Sequence, residues 1–377
     1  MNHPFGDKFL NLRNYMKAED DCEKSVSLMK RFEVPGPIRP IIQSGVAVLL
    51  GLLLGALLMI IFGYDPIIAY YWLFKGAFGS VSDIMETLAF ATPLMLTAVT
   101  FAIGVKAGLF NIGAEGQIYL GALGAAAAGG AITLPAGLHV AAATAFAMFL
   151  GALWAVPAAL LKIWRGVHEV ISSIMFNWIA FHFVIYLAIY YLAEPGRAER
   201  TVPALPGARY PVLTGGSSLT AVIFVGIAFC IGIYIYLWGT KAGYELRLVG
   251  TNPDAANYAG VSSRRVMLLS FVIGGLAAGL AGASQIIGRP PAWSLYATLG
   301  NVITLGFDGI GVALIGRNHP IGGILAAIFY GGLQHGSRLM EYNAGVYSEL
   351  VRAINGLIVV ALATPEIITI IRRRFKR

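Results

Sequence analysis

The sequence predicts an all-α polytopic membrane protein with about ten transmembrane helices and both termini in the cytoplasm. The 377 residues are 57% hydrophobic and only 12% charged, whereas soluble domains carry about 25% charged residues. Apolar stretches of about 20 residues, the length that crosses a bilayer, recur after residue 40. Runs such as Ser44 to Phe62 do not alternate between polar and apolar residues, as the strands of a membrane barrel would. These observations favour helices over a barrel.

Hydropathy and turn residues predict where the membrane-spanning helices begin and end. The predicted spans are Ile41–Phe62, Ile84–Val105, Phe110–Gly130, Leu138–Leu161, Val170–Leu192, Leu219–Trp238, Val266–Ile287, Leu299–Ile315, Ile321–Leu339 and Tyr347–Leu362. We therefore expect a cytoplasmic N-terminal tail over 1–40, a transmembrane domain over 41–365 and a basic cytoplasmic tail over 366–377.

The chain has a net charge of +8. Its basic residues lie in short connections and tails, as the positive-inside rule describes, and do not form one basic face. No nucleic-acid partner is therefore expected. The basic residues on the predicted inner side are Lys162, Arg165, Lys241, Arg247, Arg264, Arg265, Arg317, Arg372, Arg373, Arg374, Lys376 and Arg377. The proline-rich connection 193–218 falls outside and is predicted to be a stiff loop. Cys22 and Cys230 alone indicate neither a disulfide framework nor a metal cluster. No cofactor is expected.

A polar motif interrupts the apolar sequence at 108–117. It contains Asn111, Glu115 and Gln117 among three glycines. A charged side chain at bilayer depth costs roughly 3 kcal/mol and usually faces protein or a water-filled path. Asn111 and Glu115 are four apart and would share one helical face. We predict that all three belong to a substrate pathway; for Glu115, a buried lock that bonds backbone groups is the alternative.

Two further polar residues are candidates for the pathway. Asp308 lies in the glycine-interrupted segment 306–311, a pattern typical of broken helices that line a transporter cavity. It would either contact the ligand or act as the N-cap of a half-helix. Asn177 lies in the middle of the fifth predicted span.

Small residues recur at four-residue spacing in two predicted helices, which lets helix backbones approach closely in lipid. The series are Gly121, Ala125, Gly129, then Gly274, Ala278, Gly282 and Gly275, Gly279, Ala283. We expect these residues to serve helix packing.

The long cytoplasmic connection 239–265 contains a short helix signal. Asn252 or Pro253 can begin the helix, and Gly260 can end it. A compact helix with a small apolar face, around Ala255 and Ala256, suits docking into a groove of another protein. A surface helix lying on lipid is the alternative.

Four motifs in order resemble the permease family of bacterial ATP-binding-cassette (ABC) importers for simple sugars, nucleosides and, more distantly, branched-chain amino acids. They are Asn-Ile-Gly-Ala-Glu-Gly-Gln at 111–117, Gly-Val-His-Glu-Val-Ile at 166–171, Gly-Thr-Asn-Pro-Asp-Ala-Ala at 250–256 and Gly-Phe-Asp-Gly-Ile at 306–310. The Ala-Glu-Gly-Gln form is similar to the longer member of a nucleoside-type permease pair. His168 departs from the asparagine more common there, which puts a substrate contact at that position in doubt.

The resemblance implies a type II importer in the bacterial inner membrane. Two ten-helix permeases would form the path, cytosolic ATPases would grip coupling helices, and an external lipoprotein or periplasmic protein would deliver the substrate. Residues Gly250, Asn252, Ala255, Ala256 and Gly260 would form the ATPase coupling loop. The chain has no Walker phosphate loop, so ATP hydrolysis is expected on a partner subunit.

The expected substrate is a purine nucleoside, with a sugar as the alternative. A secondary transporter would instead use Glu115, Asp308 or His335 as a proton or sodium site. A channel is a further alternative, although no repeated carbonyl-filter sequence is evident.

Overall fold

The computed structural model describes residues 39–361, of which 39–43 are described by backbone alone. Most of the predicted N-terminal tail and all of the predicted tail 366–377 lie outside this range. The packing discussed below lies within the compact unit that begins at Ala47.

The described chain is mostly helical. The helices of its first half are α1 Arg39–Ile61, α2 Pro66–Phe78, α3 Val81–Lys106, α4 Ala114–Ala131, α5 Leu138–Arg165 and α6 Glu169–Tyr190. The second half contains α7 Val222–Gly239, α8 Lys241–Thr251, α9 Pro253–Tyr258, α10 Ser263–Ile286, α11 Leu305–Ile315, α12 Pro320–Ala344 and α13 over 349–361.

Six described helices are long and apolar enough to cross a membrane, or seven if the bent pair α11 and α12 forms one span. The predicted number of ten is therefore not confirmed. The prediction counted 299–315 as one span, but α11 has only 11 residues, about 16 Å of helix. It meets α12 at an angle of 117°. The glycine-rich segment 306–311 lies inside this short helix, and the bend that separates it from α12 falls at 316–319.

Two local features were not predicted from the sequence. The aromatic residues after α1 form a helix, α2, which begins with Pro66 and is capped by Asp65, whose Oδ1 accepts the N–H of Ile67 at 2.8 Å. The predicted external loop contains a small antiparallel hairpin, β1 Ala193–Glu194 and β2 Arg197–Thr201, so the described chain is not purely α-helical.

The small-residue series pack helices together, as predicted. A methyl group on Gly121 of α4 would lie 2.5 Å from the Cα of Gly279 in α10. One on Gly275 of α10 would lie 2.6 Å from the Cα of Ala152 in α5. Because lipid supplies no hydrophobic force between helices, this backbone proximity is what holds α10 against α4 and α5.

Candidate functional site

Glu115 caps a helix that is distant in sequence. The side chain lies in the first turn of α4 and is 2% exposed. Its Oε2 accepts the backbone N–H groups of Gly306 at 2.7 Å and Phe307 at 3.3 Å, and its Oε1 accepts that of Thr304 at 2.5 Å. The hydroxyl of Tyr119 donates to Oε1 at 2.6 Å. A carboxylate here satisfies the free N–H groups at the start of α11 and favourably meets the positive end of its dipole.

This geometry agrees with the structural alternative for Glu115, in which the buried carboxylate bonds backbone groups. A methyl group on Gly306 would lie 2.7 Å from Glu115 Oε2, so the helix start and the carboxylate fit closely. The alternative role of Asp308 as the N-cap of the half-helix is wrong. Thr304 occupies that position with a φ of 71° and no side-chain capping bond, and the cap comes from Glu115 because the preceding loop offers none.

Asn111, Gln117 and Asn177 hold the turn that precedes α4. Asn111 Oδ1 accepts the N–H of Gly113 at 3.1 Å and the side-chain amide of Gln117 at 3.3 Å. Asn177 of α6 accepts the N–H of Gly116 at 2.9 Å through Oδ1 and donates to a carbonyl of the same turn, at Ile112, at 3.0 Å. The structure therefore brings these three predicted residues together beside Glu115. Asn111 precedes the first residue of α4, so the prediction that it shares a helical face with Glu115 is wrong.

Asp308 lines two neighbouring cavities. The first has a volume of about 360 Å³, within the usual range of small-molecule sites. Its side chains with hydrogen-bonding groups are Gln285, Arg289, Tyr296, Asn301, Thr304, Asp308, Gln334, Arg338 and Arg352. Asn111, Glu115, Gln117 and Asn177 do not line either cavity. Their pathway role stays a prediction.

Two arginines of the first cavity share one aromatic ring. The guanidinium carbon of Arg289 lies 4.1 Å from the ring centroid of Phe90, and that of Arg338 lies 5.3 Å from it. Arg289 also donates to Gln285 Oε1 at 3.3 Å. No predicted motif included these arginines, although Arg338 within a predicted span was a visible signal.

The second cavity, of about 430 Å³, shares Thr304, Asp308 and Arg352 with the first. The hydroxyl of Tyr330 donates to Asp308 Oδ1 at 2.7 Å. Asn355 also lines this cavity, is 3% exposed and interacts with the side chain of Tyr330.

The predicted short helix in the connection 239–265 is α9. Asn252 Oδ1 accepts the N–H groups of Asp254 and Ala255, each at 3.0 Å, and Pro253 is the first helical residue. Gly260 follows with a φ of +82°, as a terminating glycine does. These predictions are confirmed. We call residues 252–260 the coupling segment, after the ATPase contact that the sequence analysis predicts for them.

The coupling segment is almost entirely exposed. Ala255 is exposed, whereas Ala256 is fully buried, so the prediction that both alanines form a docking face is wrong for Ala256. Gly250 also lies inward, because a methyl group there would collide with the carbonyl oxygen of Lys106. Tyr258, which the sequence analysis did not single out, is 95% exposed. Tyrosine is enriched at protein contact surfaces, so Tyr258 is a candidate for such a contact.

His168 acts as the N-cap of α6. Its Nδ1 accepts the N–H of Val170 at 3.4 Å, a role that asparagine also fills. The adjacent Glu169 pairs with Lys162 at 2.9 Å and accepts the N–H of Phe110 at 3.4 Å. The departure from the family motif thus falls on a capping residue.

Comparison with known proteins shows to which family the chain belongs. Residues 84–363 match the family described as branched-chain amino acid transport system / permease component. The chain belongs to this permease family. As a permease component it is a multi-pass membrane protein and not itself an enzyme, and ATP hydrolysis occurs in separate subunits of such systems.

Several curated permeases are similar over nearly their whole length. The guanosine ABC transporter permease protein NupP of Bacillus subtilis is 35% identical over 88% of this chain and 95% of its own. The nucleoside ABC transporter permease protein NupB of Lactococcus lactis is 33% identical over 90% of this chain and 94% of its own. The glucose ABC transporter permease protein TsgB13 of Haloferax volcanii is 32% identical over 85% of this chain and 86% of its own. No solved structure matches the chain.

Proposed function

We propose that this permease is one of two membrane subunits of an ABC importer that carries a purine nucleoside into the cytoplasm. The observation that carries the proposal is the similarity to NupP and NupB over about nine tenths of the chain. A polar cavity with an aromatic wall, lined by Phe90 and Tyr296, is compatible with such a ligand because a nucleoside offers both a flat base and hydroxyl groups.

The proposed orientation has both termini in the cytoplasm of a bacterium and the domain in its inner membrane. It is supported by contacts among the basic connections. A methyl group on Gly108 would lie 3.1 Å from the carbonyl oxygen of Gly250, next to the coupling segment. Lys106 and Arg247 lie 6.0 and 5.7 Å from the ring of Trp238. The connection after α3 and the residues around α8 therefore meet at one end of the helices, as the positive-inside rule requires of inner connections.

We assign different tasks to the predicted pathway residues. Asp308 would face the substrate, since it lines the cavities. Glu115 would position it by fixing the start of α11, three residues before Asp308 on the helix. Asn111, Gln117 and Asn177 would in turn hold the turn from which Glu115 projects.

We further propose that the coupling segment docks on a cytosolic ATP-binding subunit. Its exposed residues include Ala255 and Tyr258. Capping bonds at Asn252, the buried Ala256 and hydrogen bonds from Ser263 of α10 hold the short helix in place. Movement of the ATPases would pull on this segment and open the path alternately to each side. The other proposed partners are a second, homologous permease and an external substrate-binding protein.

Uptake into proteoliposomes tests the function. The permease is reconstituted with the second permease, the ATPase and the binding protein encoded beside it, and radiolabelled guanosine and glucose are offered in parallel. We expect guanosine accumulation that requires ATP and every subunit and that resists proton uncouplers.

Two results would overturn this proposal in different ways. ATP-dependent glucose uptake, with guanosine neither carried nor competing, would favour a sugar permease, which the similarity to TsgB13 makes the second candidate. Accumulation by the permease alone, driven by a proton gradient, would establish a secondary transporter.

A further inference from the structure

Helix α6 carries a polar side chain on a face that the rest of the described chain leaves uncovered. His182 is exposed. Its ring stacks on Trp178, with 6.4 Å between the ring centroids, and meets Phe181 edge-on at 5.2 Å. Within residues 44–361 the ring forms no hydrogen bond. A neutral imidazole has one donor and one acceptor, so both are left without a protein partner in this single chain.

His182 lies at bilayer depth. Helix α6 has 22 residues, about 33 Å of helix, which matches a hydrocarbon core of about 30 Å. His182 is about 20 Å from the first residue, Glu169, and about 12 Å from the last, Tyr190. Lipid offers no hydrogen-bonding group at this depth, so polar side chains there almost always face protein or a water-filled cavity. His182 lines neither of the two cavities beside Asp308, which favours a protein neighbour.

The uncovered face of α6 differs from those of α1 and α7. Over residues 44–61 and 222–239 every exposed residue is aliphatic, aromatic or glycine, as suits contact with lipid. On α6, Met175, Trp178 and His182 follow each other at spacings of three and four residues, so they form one ridge. Met175 is 57% and Trp178 61% exposed. Methionine and tryptophan are enriched at protein contact surfaces.

We propose that this α6 ridge packs against the second permease inside the bilayer, where His182 forms a hydrogen bond with a polar side chain of that subunit. Histidine is one of the side chains that hydrogen-bond across helix pairs in membranes. Of the proposed partners, the ATP-binding subunit is cytosolic and the binding protein is external, so only the second permease reaches this depth. The inference rests on the proposed pair of membrane subunits and names the surface through which they meet.

Photo-crosslinking in the complete complex tests the contact. The photoreactive amino acid benzoylphenylalanine replaces Trp178, a bulky aromatic residue of the ridge, and leaves His182 in place. The matched control carries the same probe at Ile231, which is exposed near the middle of α7. This permease is co-expressed with the second permease, the ATP-binding subunit and the binding protein. Membranes are irradiated, and a different tag on each subunit identifies the products.

We expect a product that joins residue 178 to the second permease and no protein product from residue 231. The absence of a protein product from residue 178, in a complex that contains the second permease, overturns the inference and leaves the proposed function standing. A product between two copies of this chain overturns it as well. If the second permease does not co-purify with the wild-type chain, the proposed pair of subunits fails, and the inference fails with it.

The hydrogen bond is tested separately with His182→Leu, which places an apolar side chain at the same position. Loss of one hydrogen bond between membrane helices should weaken the pair about threefold. The measurement is energy transfer between labelled subunits in vesicles as added lipid dilutes the complex. Ile231→Leu on α7 is the control and should behave like the wild type. A His182→Leu pair as stable as the wild-type pair overturns the proposed bond across the interface.

Discussion

The coupling segment and the start of α11 are both short helix beginnings, but they are stabilised in opposite ways. In the coupling segment the cap is Asn252, next to the helix it caps, and the residues around it are exposed. At α11 the cap is Glu115, which is almost 200 residues away in sequence and fully buried, with bonds to the backbone N–H groups of Thr304, Gly306 and Phe307.

This difference has a functional consequence. A self-capped helix on the surface keeps its shape while its exposed side chains contact another protein. A helix capped by a distant carboxylate is held to one position in the interior, because moving it would leave the N–H groups unsatisfied. The first arrangement suits a docking element, and the second suits a fixed wall such as the cavity residue Asp308 requires.

The largest expected effect is that of removing the interior cap. Glu115→Ala leaves three backbone N–H groups and the Tyr119 hydroxyl without their partner, so we expect a loss of at least about 3 kcal/mol in the free energy of unfolding. Glu115→Gln should also destabilise, because both carboxylate oxygens accept hydrogen bonds and the amide replaces one of them by a donor. The measurement is thermal unfolding in detergent together with uptake.

Tyr119→Phe is the control for this prediction, because it removes one bond to Glu115 and leaves the three backbone bonds. It should cost about 1 kcal/mol. Wild-type stability in Glu115→Gln would show that the cap is dispensable.

An effect of similar size is expected inside the coupling segment. Ala256 is fully buried, so Ala256→Glu places an unpaired carboxylate there at a cost of several kcal/mol. The neighbouring Ala255→Glu should leave stability unchanged and uncouple transport, because the charge enters only the proposed docking surface. Limited proteolysis of the segment and uptake separate the two outcomes. Equal loss of fold in both variants would contradict the assignment of Ala255 to an exposed face.

Tyr258 offers a test of the surface alone. Tyr258→Ala should leave the unfolding temperature unchanged, since the side chain is 95% exposed, and should weaken binding of the ATPase subunit by about tenfold. Affinity is measured by titration of the ATPase subunit onto the purified permease. Wild-type affinity would remove Tyr258 from the docking surface.

The contrast between these regions also explains which predictions from sequence held. The cap at Asn252, the proline after it and Gly260 obey local rules, and the structure confirms them. The small-residue series likewise predicted close helix packing because their spacing is local. The role of Asp308 as an N-cap was wrong because nothing local indicates that Glu115 supplies the cap. Arg289 and Arg338 come together on Phe90 only through tertiary packing, which no single-segment pattern shows.

The smallest effect is expected in the external hairpin. The hydrogen bond from Arg200 to Glu194, at 2.5 Å, holds the pKa of Glu194 below its usual value. Because the pKa of the folded state is depressed, the contribution of this pair to stability is present at neutral pH and is lost as the pH falls through that value. Glu194→Gln should therefore change the unfolding temperature slightly at neutral pH and not at all in strongly acidic buffer. A difference that grows on acidification would contradict this sign.

Cross-linking from the coupling segment tests the central claim most directly, because it asks whether this exposed helix touches an ATPase. Ala255→Cys is introduced with Cys22 replaced by serine, since the remaining Cys230 is buried, and Arg197→Cys on the external hairpin serves as the control. Treatment of membranes containing the whole complex with a short bifunctional thiol reagent should join residue 255 to the ATP-binding subunit and give no such product from residue 197. Cross-linking to that subunit from residue 197, with none from residue 255, would contradict the account.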